Sequence, residues 1–484
     1  MFNNNSKSVQ FSAQRRNNRH YLIPAAIFLG ISSFAAMPLM ANAACNTYYV
    51  STSGNNSALG TIDAPWRTIA TGAARLKACD TLFVRNGVYG EYNIWVGTSG
   101  TATQPIQILA YPGESPVVDG ANVENPLNKP FFIIAGKYVT LSGFELRNSA
   151  TSAGVDFWGA YGIIKNMNIH HTNGTGIFFR GDYGLVENNT VSFTSLCNAD
   201  PASPYRIAKG GWGVGITITG AGSAPASDGV ATRTIVRGNT VHSVYGEGLS
   251  TYEADGTLIE NNVVYDNWAT NTYISDSTNV IFRNNLVYNT PNNAVGTKSA
   301  VLTLADEKAT KPRSANNVVI NNMFLNGHIC AFCWTLVPGS GLVGDLIANN
   351  TLVNGAFATP ATTTDHIGNM VYNNIFYRND GGSVNNASAT YPGISFSNNL
   401  WSKQPPLSVT GKGDIIGTPN LAMTGNTGPG QLTKAYFSIT SASPVVGNGI
   451  AIQDTTDYYL VTSSLKPNIG AYLSNPPIQY LAAQ

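Results

Sequence analysis

The residues best suited to chemistry gather between positions 180 and 276. Gly246-Glu247-Gly248 sets a carboxylate between two glycines, a loop that lets ligand or backbone come close. Tyr252 and Glu253 follow, with Asp255 just beyond. Arg180, Asp182, Tyr273 and Asp276 add a guanidinium, a phenol and two carboxylates, while Lys209, Trp212 and Trp268 add an ammonium and two indoles. Carboxylates take up a proton or hold a cation, and a phenol can return a proton. Aromatic rings beside carboxylates suit sugars, whose apolar faces stack while their hydroxyls find acceptors. Plainer readings stand beside these. An outward tyrosine is often cross-strand packing. Arg180 with Asp182 reads equally as a surface ion pair. His170 and His242 read as surface residues, and Lys165, Glu187, Arg237, Glu260 and Arg283 as a solvated row.

The elements that must hold these residues show in a repeat, apolar-x-apolar-x-Asn-Asn-x-apolar. Copies include Leu185-Val-Glu-Asn-Asn-Thr-Val191, Leu258-Ile-Glu-Asn-Asn-Val-Val264 and Ile281-Phe-Arg-Asn-Asn-Leu-Val287. The second Asn falls at 189, 239, 262, 285, 322, 350, 374 and 399, with Phe144 and Met167 as earlier equivalents. A period near 23 with short alternating strands means a solenoid of β-coils. Each coil rises about 4.8 Å, so ten positions make a rod of roughly 45 Å. Stacked asparagines can bond along the axis, as amide ladders do. The expected fold is all-β, a right-handed parallel β-helix with an Asn ladder. A helix within residues 66–78, with Ile69, Ala73 and Leu76 on one face, is expected to plug its open end. The expected organisation is a signal peptide (1–43), an N-terminal cap and first coils (44–130), coils (131–402), and C-terminal coils and cap (403–484).

Three stretches resemble the pectate-lyase-like right-handed β-helix proteins. These are Tyr48-Tyr-Val-Ser-Thr-Ser-Gly54 with Ala64-Pro-Trp-Arg-Thr-Ile69 and Ala78–Tyr89, the Asn-ladder coils, and Ala442-Ser-Pro-Val-Val446 with Lys466-Pro-Asn-Ile-Gly-Ala-Tyr472. The resemblance implies the fold and export, and it places a groove on the sheet that follows the long variable turn. Carried over by register, Ile177, Ile216, Leu249 and Ile274 point inward. Phe178, Thr217, Ser250 and Tyr273 form one outward row, and Arg180, Thr219, Tyr252 and Ser275 the next. The longest turn, with Lys209 and Trp212, overhangs them.

The resemblance puts an eliminating lyase on a uronate polysaccharide first. Glu247, Tyr252, Glu253 and Arg180 are then the catalytic candidates, and Tyr273, Trp212, Trp268, Lys209 and Asp182 the substrate contacts. Asp276, with Glu247 and Glu253, would hold a Ca²⁺ if the enzyme uses one. A glycoside hydrolase with paired carboxylates, a uronate epimerase and a non-catalytic carbohydrate-binding or matrix protein are the alternatives. The chain departs from known motifs. It has no Asp-Asp pair, no Asp-rich calcium cluster, no polygalacturonase set and no Asp-Pro-His-Asp.

Composition narrows the setting. The 484 residues include 27 Lys+Arg and 26 Asp+Glu, and charged residues make up only 11%. No basic run provides a nucleic-acid footprint. Arg15, Arg16 and Arg19 precede an apolar run from Tyr21 to Ala36 and a small-x-small site at Ala41-Asn-Ala43, the pattern of a cleaved secretory signal. Loss of 1–43 removes four cations and no acid, leaving 23 − 26 = −3. An anionic polymer must therefore be met by local cations or a metal ion. A secreted or periplasmic monomer acting on a polysaccharide, with no membrane span, is expected. Cys45 and Cys79 could staple the N-terminal segment, Cys330 and Cys333 form a lone C-x-x-C, and Cys197 is left over.

Overall fold

The computed structural model describes residues 45–484 apart from 126, 151, 200–212, 221–228, 292–299, 308–313, 336–338, 359–364, 386–391, 456–458, 463–466, 472–477 and 481–484. The expected signal peptide lies outside these residues. Three long parallel sheets of 13, 13 and 10 strands run the length of the coil stack, each pairing every coil with the next in chain order. One coil runs Leu185–Glu187, Thr190–Ser192, Val214–Thr219, one strand in each sheet.

The strands are three to eight residues long in most coils, because a single inward side chain per face fills the narrow bore. Val186, Val236, Ile259, Phe282, Val319, Ile347 and Val371 stack in register and are all essentially inaccessible. The expected inward residues Ile169, Val191, Val241, Val264 and Val287 are fully buried as well.

The Asn-Asn pair divides its work at the bend between the first two sheets. The first Asn takes a left-handed backbone, with φ of 55° at Asn188, 56° at Asn261 and 56° at Asn284. That conformation favours Asn or Gly, and Gly238 fills the same place with φ 66°. The second Asn turns inward. Asn239 donates through its backbone N and Nδ2 to Asn262 Oδ1, at 2.9 and 3.0 Å, and Nδ2 also reaches Val186 O at 2.9 Å. The same contacts pass through Asn262, Asn285, Asn322, Asn350, Asn374 and Asn399. The row ends where Asn399 N donates to Asp414 Oδ1 at 2.8 Å. From Asn239 to Asn374 both Nδ2 hydrogens and the Oδ1 of each side chain are thereby used, which is what burial of an amide requires.

At the N-terminus the short helix Ile69–Ala73 buries Ile69, Gly72 and Ala73, and Glu91 accepts from Ile69 N and Ala70 N at 2.8 and 2.9 Å. Cys45 and Cys79 are joined by a disulfide. Cys330 is also disulfide-bonded, and Cys197 is a free, half-buried thiol.

Beyond Trp401 the coils are continued by Ile415–Ile416 in the second sheet. The segment that follows then returns along the outside. Leu432, Tyr436 and Phe437 pack over Tyr265, Tyr288 and Leu325, and Gly430 N donates to Tyr288 Oη at 2.8 Å. Ile452 packs on Leu258, Ile281 and Val318, on the outer face of the first sheet. This overturns the solvated reading at one end of the charged row, while Glu187 and Arg237 keep 21% and 42% of their side chains exposed. Glu260 and Arg283 are each only 9% exposed and pair at 2.5 Å. The aromatic row is likewise no open surface. His242, Tyr265 and Tyr288 stack at 4.7 and 5.0 Å, and the returning tail buries the two tyrosines.

Candidate functional site

The third sheet, after the variable turn, has the register that the repeat implies. Phe178, Thr217, Ser250 and Tyr273 are aligned partners on successive strands. Thr219, Tyr252 and Ser275 form the parallel row one step on. Ile216, Leu249 and Ile274 are buried beneath them.

One polar centre forms on the outer face of this sheet. Tyr273 Oη donates to Glu307 Oε1 at 2.6 Å. Burial, and then the negative charges of Glu307 and Glu247, push the Tyr273 phenol far above its usual range, so it stays protonated. Burial also raises the Glu307 carboxyl. Asp276 anchors this arrangement: its Oδ1 accepts from Glu307 N at 3.1 Å and its Oδ2 from Ser275 Oγ at 2.6 Å. Glu247, 7% exposed, opens the strand Glu247–Tyr252 beside Val214 and Thr270. The face thus joins a phenol held neutral to two carboxylates. Such a pair can exchange a proton with a bound ligand.

Tyr273, Glu307 and Asp276 are linked, and the Glu247 charge acts on the Tyr273 phenol, but Glu307 escapes a reading by register. It lies just past the strand Ala300–Asp306, in a turn whose position no period sets. The glycines beside Glu247 have a different cause from the one expected. A Cβ at Gly246 would strike Gly213 O, and one at Gly248 would strike Asn267 and Asn271. The neighbouring coils, rather than a ligand, require them.

The other candidates are spread out. Tyr252 and Glu253 lie at the far end of the same strand, where Glu253 bends away with φ 52° and its carbonyl accepts from Gly220 N and Ala231 N. Asp182 accepts from Thr232 N at 2.9 Å. Trp268 is half-buried. Lys209 and Trp212 lie outside the described residues. Arg180 pairs with Asp156, Nε to Oδ1 at 2.9 Å, instead of serving Glu247. It is two coils from Glu247 along the axis and five residues across, about 19 Å in all. The two cannot act on one bond.

No three His, Cys, Asp or Glu side chains among the described residues converge to hold a metal ion. Asp276 is committed to a backbone N–H and a serine, and Glu307 to a phenol. These residues do not fit a Ca²⁺ site, and no chemical step is assigned to one.

Arg180 opens onto a cavity of about 620 Å³ over the first four strands of the sheet, lined by Trp95, Lys129, Asp156, Trp158 and Phe178 among others. Its guanidinium lies 3.9 Å from the Phe178 ring centre, and Trp95 meets Trp158 edge to face at 5.7 Å.

Residues 48–280 match the family model described as a Pel9A-like, right handed beta helix region. Pectate lyase PEL9 of Emericella nidulans is 42% identical over 73 residues, 15% of this chain and 18% of that protein. The uncharacterized protein YwoF of Bacillus subtilis is 32% identical over 107 residues, 22% of this chain and 23% of that protein. The chain therefore matches only about a fifth of the length of these curated relatives. The crystal structure of pectate lyase Pel9A superposes with a TM-score of 0.52 at 17% identity, covering 90% of this chain and 97% of that one. At that identity the fold is what the two share.

Proposed function

From the match of residues 48–280 to a Pel9A-like, right-handed β-helix region, we propose that the protein cleaves a uronate-containing polysaccharide by β-elimination outside the cytoplasm. The observation that carries the reading is the Tyr273–Glu307 pair facing Glu247 on the outer face of the third sheet. Elimination needs a base for the proton alpha to the uronate carboxylate and an acid for the departing glycosidic oxygen. Glu247 is the base in this reading. Tyr273, held protonated by its surroundings, gives its proton to the leaving oxygen as the C–O bond breaks. Glu307 holds the phenol in place, and Asp276 holds Glu307.

The Cys45–Cys79 disulfide supports an oxidising compartment. No helix among the described residues is long and apolar enough to cross a membrane.

The test incubates the protein with polygalacturonate, rhamnogalacturonan and alginate, with and without chelator, and reads unsaturated-uronate absorbance against new reducing ends. Absorbance and reducing ends rising together are expected. Glu247→Gln and Tyr273→Phe should each lower turnover at least ~100-fold, the scale of acid–base catalysis, with little change in melting. Reducing ends without absorbance would make the protein a hydrolase. Full activity in Glu247→Gln would remove this centre from the chemistry.

A further inference from the structure

We propose that the outer face of the first sheet, along the coils that the returning tail leaves open, pairs with the same face of a second copy of this chain. The two copies run antiparallel about a two-fold axis between coils 161–165 and 183–187. Three parallel rows of side chains mark the face.

The first row is aromatic. Tyr138, Tyr161 and Tyr183 fall at one place in successive coils, just before a strand of the first sheet, and their rings stack at 4.5 and 4.9 Å with planes 0° and 6° apart. All three have left-handed backbones, with φ of 54°, 58° and 54°. Bulky side chains rarely adopt that conformation, and later coils fill the place with Gly256, Asn279 and Asn316. Tyr161 and Tyr183 nonetheless leave 40% and 43% of their surface in solvent. An aromatic pile held in an unfavourable conformation and left wet does little for the core of its own chain, and features of this kind mark functional surfaces. The second row is apolar. Ile163, Leu185 and Ile235 are aligned and half-buried. The row runs on as Leu258, Ile281 and Val318, which the tail buries beneath Ile452. The chain therefore covers one length of this row with its own apolar side chain and leaves the preceding length open. The third row is charged. Lys165, Glu187 and Arg237 are aligned. Glu187 pairs with Arg237 at 2.6 Å, and no carboxylate among the described residues forms an ion pair with Lys165.

The alternating charges select how two copies meet. A two-fold contact between antiparallel rods sets each row against itself with the coil order reversed. About an axis between coils 161–165 and 183–187, Tyr161 meets Tyr183, Ile163 meets Leu185 and Lys165 meets Glu187, each twice. Moving the axis onto either coil sets Glu187 or Lys165 against itself. Moving it by a full coil leaves Lys165 facing Ser142, its aligned neighbour on the preceding strand, or brings the tail over Leu258 against Ile163. The face is four coils tall and five residues wide, about 19 by 16 Å, a footprint of roughly 300 Å². That is below the roughly 800 Å² per partner of a standard interface, so the dimer is weak and reversible, with a dissociation constant on the order of 100 μM. The third sheet takes no part, and the Glu247–Tyr273 centre stays open in both copies.

The experiment is sedimentation equilibrium of the full mature chain over a hundredfold range of concentration reaching about 1 mM, ten times the expected dissociation constant. The average mass should climb from one chain towards two, and added salt should weaken the association. Lys165→Glu and Glu187→Lys should each weaken it at least about fivefold, because each sets like charges together twice. An equimolar mixture of the two variants should associate within about threefold of the parent, since one chain of each kind restores both opposite-charge contacts. Charges that acted only within one chain would not respond to mixing. Tyr183→Ala should weaken association at least about fivefold with the circular dichroism unchanged. A single-chain mass at every concentration, parental association in any of the three variants, or a mixture no stronger than its components would each overturn the proposal.

Discussion

Asp345 occupies a ladder position that asparagine could fill, and replacing it should make stability less dependent on pH. Its neighbours along the row are Asn317 and Asn369. Asn317 N donates to Asp345 Oδ1 at 2.9 Å, and Asp345 N donates to Asn369 Oδ1 at 2.9 Å. Asp345 Oδ2 is buried without a partner. Burial, opposed by the two Asn317 hydrogen bonds and aided by the charge of Asp306, raises the carboxyl to about 7 from 3.8. A folded value above the unfolded one makes a stabilising contribution that is complete below the unfolded value. That contribution is lost as pH rises towards the folded value. At 1.36 kcal/mol per unit, the loss between about pH 4 and pH 7 is roughly 4 kcal/mol. Asp345→Asn removes this loss. Its new Nδ2 also has an acceptor by register: Asn317 Nδ2 reaches Ser277 O and Asn369 Nδ2 reaches Leu342 O, each three residues before the ladder partner on the preceding coil. The equivalent for position 345 is Ser314 O. Urea unfolding followed by tryptophan fluorescence should show the variant close to the parent at about pH 4. At about pH 8 it should be more stable by several kcal/mol, approaching 4. A gap of the same size at both pH values would show that the carboxyl does not titrate in this range in the folded chain, and the reasoning would fail.

Other outcomes follow from the same packing. Asn262→Leu should cost roughly 1–3 kcal/mol in the same unfolding assay, since Asn239 and Asn285 each lose a buried partner. An unchanged midpoint would refute the ladder's contribution. Arg283→Met should cost about 3–5 kcal/mol by stranding Glu260 under the returning tail, whereas Glu260→Gln with Arg283→Met should recover much of that loss. Equal midpoints for the single and double variants would show that the pair is solvated in solution.

The periodic part of this protein was legible in its residues. One asparagine kept in register over eight coils specifies a stack of parallel strands, and the stack specifies which side chains face out. Joined to the groove that the family resemblance places after the variable turn, the same register aligns Phe178, Thr217, Ser250 and Tyr273. The signal is strong because each coil interacts mainly with the next, so local pattern and tertiary contact coincide.

Tertiary structure decided what the period does not govern. Glu307 reaches Tyr273 from a turn 34 residues later, and turns of unequal length carry no register. Arg180 chose Asp156, 24 residues earlier on the adjacent strand, over nearby Asp182 as the carboxylate for its Nε, because neighbouring coils bring side chains closer than neighbours in sequence. Glu260 and Arg283 read as surface residues until the tail returned over their sheet. The glycines around Glu247 answer to the backbone of adjacent coils. A solenoid's sequence determines its axis and its faces. Contacts across turns, and segments that fold back along the outside, depend on distances that only the assembled stack defines.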